Sequence, residues 1–124
     1  MKRDPRLIEF SREHHLALKL GSTLAKAKDL EAGNAAVDEY RTFLLAHFLE
    51  EERDLLEIIK KIGNDAVGEQ FLQDHKVLRE FLQQKNLSLE ALQEFGKQLI
   101  AHTRFEEREL FTLIQEFWDQ SDEI

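Results

Sequence analysis

The sequence predicts an all-α fold, an up-down-up-down antiparallel four-helix bundle. Apolar residues recur at alternating steps of three and four along most of the chain. One proline and five glycines among 124 residues leave few interruptions, and there are few β-branched residues. The predicted helices are joined by connections of only a few residues, which makes consecutive helices antiparallel neighbours. We therefore expect one domain spanning residues 1–124.

The first two predicted helices begin at recognisable cap sequences. Asp4-Pro5 starts the first helix, because Asp caps a helix and Pro is favoured at the first helical position. Gly33-Asn34 predicts a stop followed by a new cap, so the second helix is expected from about Asn34 to about Lys61. The inward stripes are Leu7, Phe10, His14, Ala17, Gly21 and Leu24, and then Tyr40, Leu44, His47, Glu51, Leu55 and Ile58.

The third helix is expected to start near Asn64 or Asp65 and to end near Lys85, and Ser88 is expected to cap a fourth helix from about Leu89 to about Trp118. Their stripes are Phe71, His75, Leu78 and Leu82, and then Leu92, Phe95, Leu99, His102, Glu106, Leu110, Leu113 and Phe117.

Composition excludes several functional classes. The formal charge is −8, from 17 basic and 25 acidic side chains, and no basic stripe offsets it, so nucleic acid is not an expected partner. The absence of cysteine excludes disulfides, thiolate zinc sites and iron–sulfur clusters. No apolar run has membrane-spanning or signal-peptide length. We expect a soluble, cytoplasmic protein without membrane partners, and the exposed helix faces leave a homodimer open.

Each predicted helix has one histidine on its apolar stripe, and the second and fourth helices also have a glutamate four residues later. Residues four apart lie on one face of a helix, so each H-x-x-x-E pair directs an imidazole and a carboxylate to one point. Such a buried set is either a purely structural polar network or a metal site, and a metal would satisfy all of its members together. The candidate metal ligands are His14, His47, Glu51, His75, His102 and Glu106.

The ligand types narrow the choice of metal. Imidazole and carboxylate without sulfur suit iron, manganese or zinc. Six ligands exceed the three that one catalytic zinc takes from the protein. They fit two ions bridged by the glutamates and by a shared oxide or hydroxide, which leaves about two octahedral positions open for a small ligand such as O2.

The ordered set of one His, then H-x-x-x-E, then one His, then H-x-x-x-E resembles the hemerythrin-like (HHE cation-binding) domain. The runs Arg12-Glu13-His14-His15 and Gln73-Asp74-His75 are similar to that family's first and third helices. The resemblance covers essentially the whole chain. It implies a non-haem di-iron centre (two iron ions) held by the six ligands named above.

The chain departs from the oxygen-carrying members of that family at two positions. They have a second histidine one turn after the third-helix histidine, where this chain has Arg79, and they end with an aspartate where this chain has Glu106. One iron would therefore lack a nitrogen ligand. The residues near enough in sequence to substitute are Tyr40, Glu50 and Glu109.

Three functional classes follow. The first is a di-iron protein that binds or senses O2, NO or peroxide, and the second is a small di-iron enzyme, namely a peroxidase, an oxidase or an NO-linked repair factor. The third is a metal-storage bundle or a structural zinc bundle. His15, beside His14, is the other candidate for the first-helix ligand and is expected at the surface. Glu50, Glu52 and Glu107 are expected to be solvated.

Overall fold

The computed structural model describes residues 2–122, and within that range the chain is helical with no strand. These residues form four helices, and a π-helical turn interrupts the last of them. No helix in this range is long and apolar enough to cross a membrane. The elements are α1 (Pro5–Ala25), α2 (Leu30–Ile62), α3 (Asp65–Leu82), α4 (Leu89–Phe105), the π-helical turn (Glu106–Leu110) and α5 (Phe111–Asp122).

Side-chain caps begin the first four helices. Asp4, Asp29, Asn64 and Ser88 each accept a hydrogen bond from a backbone N–H in the first turn, which would otherwise have no partner. α2 ends at Gly63, whose φ of 76° lies in the left-handed region that favours glycine. The predicted starts at Asp4 and Ser88 are confirmed.

The predicted start of α2 at Asn34 was wrong, because the helix begins at Leu30 and is capped by Asp29. The side-chain amide of Asn34 donates to the carbonyl oxygen of Leu87 (2.9 Å) and accepts from the Leu87 N–H (2.8 Å). Gly33 is buried at the same crossing. The Gly-Asn pair therefore joins the helix to the distant α3–α4 connection and does not end it.

The π-helical turn changes which residues of the last helix face inward. The backbone N–H of Phe111 donates to the carbonyl oxygen of Glu106, five residues earlier, so the turn contains one extra residue. Leu113 and Phe117, which were predicted on the buried stripe, are only half-buried, whereas Phe111 and Ile114 are buried. The extra residue rotates the rest of the helix and exchanges these positions.

The apolar core has two clusters with a polar layer between them. On every helix the buried histidine lies between a residue of one cluster and a residue of the other. The flanking pairs are Phe10 and Ala17, Leu44 and Leu55, Phe71 and Leu78, and Leu99 and Leu110. The helices thus place the polar residues at one level in the middle of the core.

Two glycines bring α1 and α4 close together. A Cβ atom added to Gly96 would lie 2.4 Å from the backbone nitrogen of Ala25 and 2.6 Å from the carbonyl oxygen of Gly21. Only glycines allow the two backbones to approach this closely. The contact holds His14 of α1 and His102 of α4 at the same level.

Candidate metal centre

The structure brings all six predicted ligand residues together in the polar layer. Each side chain belongs to a residue that is at most 2% exposed, so the layer is closed to bulk solvent. Burial of this many ionisable groups is costly unless they are paired or bound to metal. The residues are His14, His47, Glu51, His75, His102 and Glu106.

The six residues form two overlapping groups that could each hold a metal ion. The first group contains His14 and His47, and the second contains His75 and His102. Both groups also contain Glu51 and Glu106, and the ligand atoms within a group all lie within 4.8 Å of one another. Each ion would therefore have two imidazoles of its own and share both carboxylates.

The distances place the carboxylates between the two pairs of histidines. Glu51 Oε1 lies 3.2 Å from Nε2 of both His47 and His75, and its Oε2 lies 3.4 Å from His14 Nε2. Glu106 Oε1 lies 3.4 Å from His14 Nε2 and 2.5 Å from His102 Nε2. Each carboxylate thus reaches nitrogens of both groups, as a bridging ligand must.

Several buried nitrogen and oxygen atoms of this layer have no hydrogen-bond partner within residues 2–122, as expected of atoms that bind a metal. Among the described residues, Nε2 of His14, His75 and His102 and both carboxylate oxygens of Glu51 and Glu106 are buried without a hydrogen bond of acceptable geometry. Leaving one such group unsatisfied costs roughly 1–3 kcal/mol, and more when it is charged. Nitrogen and oxygen donors without sulfur suit iron, manganese or zinc, so the residues present match the expected ions.

A second set of carboxylates contacts the outward nitrogen of each of the four buried histidines. Because a carboxylate can only accept, each Nδ1–H donates, and Nε2 of the neutral imidazole has its lone pair directed inward. The pairs are Glu107 with His14 (2.7 Å), Glu13 with His47 (2.6 Å), Glu52 with His75 (2.7 Å) and Asp74 with His102 (2.9 Å). These four are called the outer carboxylates below.

The outer carboxylates connect the four helices in a circle. Glu13 of α1 contacts a histidine of α2, Glu52 of α2 one of α3, Asp74 of α3 one of α4, and Glu107 of the π-helical turn one of α1. Every helix therefore supplies the group that orients the histidine of the next helix.

The prediction that Glu52 and Glu107 are solvated was wrong, since their side chains are only 21% and 27% exposed and each contacts a histidine. The available sequence signal was an acidic residue directly beside four of the six inward ligands, as in Glu51-Glu52 and Asp74-His75. With 3.6 residues per turn, such a neighbour lies about 100° round the helix and faces the adjacent helix.

The charges in the layer favour bound cations. Burial lowers the pKa of His14, but the carboxylates of Glu106, Glu107 and Glu51 outweigh burial and raise that pKa to about 12. Burial also lowers the pKa of His102, and the charge on Glu106 leads the effects that raise it to about 10. Burial raises the pKa of Glu51, whereas the surrounding histidines hold it well below its usual range. Without a metal, protons supply the positive charge.

Aromatic rings close the layer. The ring of Phe111 stacks on His14 at a centroid distance of 5.4 Å, and the rings of Phe71 and Phe48 lie 4.3 Å and 4.8 Å from that of His75. They surround the imidazoles with apolar surface, which lowers the local dielectric and strengthens the electrostatic interactions of the site.

Arg79 is outside both ligand groups. Its guanidinium donates to Glu52 Oε2 at 2.6 Å and lies 6.0 Å from the centre of the Phe48 ring. His15 is exposed, as expected, which leaves His14 as the first-helix ligand candidate. Within residues 2–122, neither ligand group includes His15, Tyr40, Glu50 or Glu109.

Comparison of the chain with models of protein families, with curated proteins and with solved structures finds no match. The likeness to the hemerythrin-like family therefore depends on the ligand pattern alone and stays a prediction. What the structure itself establishes is a buried layer of histidines and glutamates that could hold metal ions.

Proposed function

We propose that this protein is a hemerythrin-like, non-haem di-iron protein that binds or senses O2, NO or peroxide. The observation that supports the proposal is the pair of four-residue ligand groups that share Glu51 and Glu106. Four side-chain ligands per ion leave up to two positions of an octahedral ion for small ligands. Bound iron would supply the redox and small-ligand chemistry that the side chains lack.

The proposal includes an up-down-up-down antiparallel arrangement of one domain. The connections at residues 26–29, 63–64 and 83–88 are too short for a helix to return along the bundle before the next begins. The pairing of Glu13 with His47 and of Asp74 with His102, each at mid-helix, agrees with this arrangement.

Two ions account for the layer better than one. A single zinc ion bound to one group would leave buried Nε2 atoms of the other group without a hydrogen bond, that of His14 in one case and those of His75 and His102 in the other. The two groups also have the same composition, two imidazoles and two shared carboxylates. Since neither ion gains a third histidine, the proposal favours ligand sensing or reaction over reversible O2 transport.

Metal analysis with optical spectroscopy tests the assignment. The protein is loaded with ferrous iron without air, freed of excess metal, and measured before and after air is admitted. We expect two iron ions per chain and the absorption of an oxidised di-iron centre after air. A colourless protein that retains zinc and is indifferent to air would overturn the di-iron proposal and identify a structural or storage site.

Three variants locate the site. His47→Ala removes a ligand of one group, and Glu51→Ala removes a ligand shared by both, so iron content should fall below two per chain in the first and further in the second. His15→Ala changes an exposed histidine and should retain the wild-type content. Unchanged iron in both ligand variants contradicts the assignment. Sustained turnover of peroxide or NO by the loaded wild type would favour the enzyme class over a sensor.

A further inference from the structure

One arginine contacts an outer carboxylate beside the second ligand group. Arg79 and His75 donate to the same oxygen, Glu52 Oε2, at 2.6 Å and 2.7 Å. The Arg79 and Glu52 side chains are 29% and 21% exposed, so water screens this pair less than it screens a surface ion pair. The guanidinium therefore offsets the charge of the carboxylate that orients His75.

A second arginine occupies the matching place beside the first ligand group. The Arg3 guanidinium lies 3.3 Å from Glu107 Oε1, and Glu107 Oε2 accepts from His14. Arg3 also donates to the backbone oxygen of Glu107 and to the side chain of Gln115, which fixes its position. The exposures are again 29% for the arginine and 27% for the carboxylate.

The other two outer carboxylates differ from these in their lack of a basic partner other than histidine among the described residues. Glu13 and Asp74 contact His47 and His102 and have no arginine or lysine partner within residues 2–122. Each ligand group thus has one histidine whose outer carboxylate is neutralised by arginine and one whose outer carboxylate is not.

The two ligand groups, the four outer carboxylates and the two arginines form one charged assembly, whose formal charges can be summed. It has six carboxylates, two in the ligand groups and four outside them, together with the two guanidiniums. With neutral imidazoles the six negative and two positive charges leave a net charge of −4. That value equals the charge of two divalent cations with opposite sign.

We propose that Arg3 and Arg79 are positioning residues that set the charge of the metal centre. Arg3 neutralises the outer carboxylate of one histidine in the first ligand group, and Arg79 does the same in the second. The net negative charge of the assembly then equals the positive charge of two divalent cations. This inference rests on the proposed metal-binding function. It assigns to two residues outside the ligand groups a role in how tightly the centre holds cations.

A charge-setting role and a merely structural role predict opposite changes in the affinity for a divalent cation when the arginine is replaced. If Arg79 sets charge, Arg79→Gln leaves one more negative charge near the ions, and the affinity for a divalent cation rises roughly threefold to tenfold, as expected for one partly solvated charge. If Arg79 only holds Glu52 in place, the same substitution loosens His75 and the affinity falls. Arg79→Lys keeps the charge and should stay within about twofold of wild type.

The experiment is a titration of the metal-free, full-length protein with Zn2+ in competition with a chelator, at low and at moderate salt. Arg3→Gln is the second variant, and its effect is expected at the other ligand group with the same sign. Arg53→Gln is the matched control, because Arg53 follows Glu52 in sequence and its 67% exposed side chain pairs with Asp54. This control should stay within about twofold of wild type, since solvent and salt screen a charge at that position.

Tighter binding by both Arg79→Gln and Arg3→Gln, smaller at the higher salt and absent in Arg79→Lys, supports the inference. Wild-type or weaker affinity in either glutamine variant, with an unchanged helical spectrum, overturns it. A glutamine variant that does not fold also overturns it, because a charge-setting residue is dispensable for the fold. A wild-type protein that binds no Zn2+ and no iron contradicts the proposed function instead, so the two failures are distinguishable.

Discussion

Gly96→Ala tests whether the close approach of α1 and α4 organises the metal layer. The new Cβ atom would lie 2.4 Å from the Ala25 nitrogen, 2.6 Å from the Gly21 oxygen and 2.9 Å from the carbonyl carbon of Leu24. All three are backbone atoms, so no side-chain rotation relieves the contact. The two helices must separate.

The expected change in the free energy of unfolding follows from two opposing effects of the substitution. Alanine is favoured over glycine inside a helix by about 1 kcal/mol. Overpacking of a core costs about 1–3 kcal/mol, and a contact with backbone belongs at the upper end of that range. The net loss in free energy of unfolding is therefore about 1–2 kcal/mol. For a chain of this length, each kcal/mol shifts the melting temperature by about 4 °C, so we expect a fall of about 4–8 °C.

Thermal and denaturant unfolding of the metal-free protein measure this loss, and Gly68→Ala is the control. Gly68 lies within α3, and its added Cβ would meet only Ile59 Cγ2 at an ordinary 3.5 Å. That variant should gain up to about 1 kcal/mol from helix propensity alone. Gly96→Ala should also bind metal more weakly, because separation of α1 and α4 moves His14 away from His102. A Gly96→Ala protein at least as stable as wild type would refute the reasoning.

Three further outcomes are expected. Because the pKa values of His14 and His102 are raised to about 12 and about 10 in the metal-free protein, both carry protons at neutral pH. Metal uptake should release protons and tighten as pH rises, which calorimetry in buffers of different ionisation enthalpy measures; an affinity independent of pH between about 6.5 and 8.5 would contradict it. Asp74→Asn weakens the acceptor of the His102 Nδ1–H and should lower metal affinity about tenfold to a hundredfold, measured by chelator competition, while unfolding changes little. Asn34→Ala removes both hydrogen bonds to Leu87 and should cost about 1–2 kcal/mol in denaturant unfolding with metal affinity retained, so a loss of affinity would count against a purely structural role for Asn34.

The sequence by itself determined the helical class, most of the buried stripes and the six residues of the central layer. Helical periodicity is a local property, so it can be read along one chain without knowledge of its neighbours. Phe71, His75, Leu78 and Leu82 are the buried residues of α3 as predicted, because nothing interrupts that helix. Histidine and glutamate four residues apart share a face in any helix.

Only the tertiary structure decided the features that depend on contacts between helices. Gly33-Asn34 has the local chemistry of a helix stop, but its contact with the α3–α4 connection keeps it inside α2. The π-helical turn after Glu106 shifts the later buried positions by one residue, which no regular period anticipates. Glu52 and Glu107 looked solvated because a single helix shows only whether a residue faces the core, and their histidine partners belong to neighbouring helices. Local periodicity thus determines which side chains point inward, while packing between helices determines which carboxylate each histidine contacts.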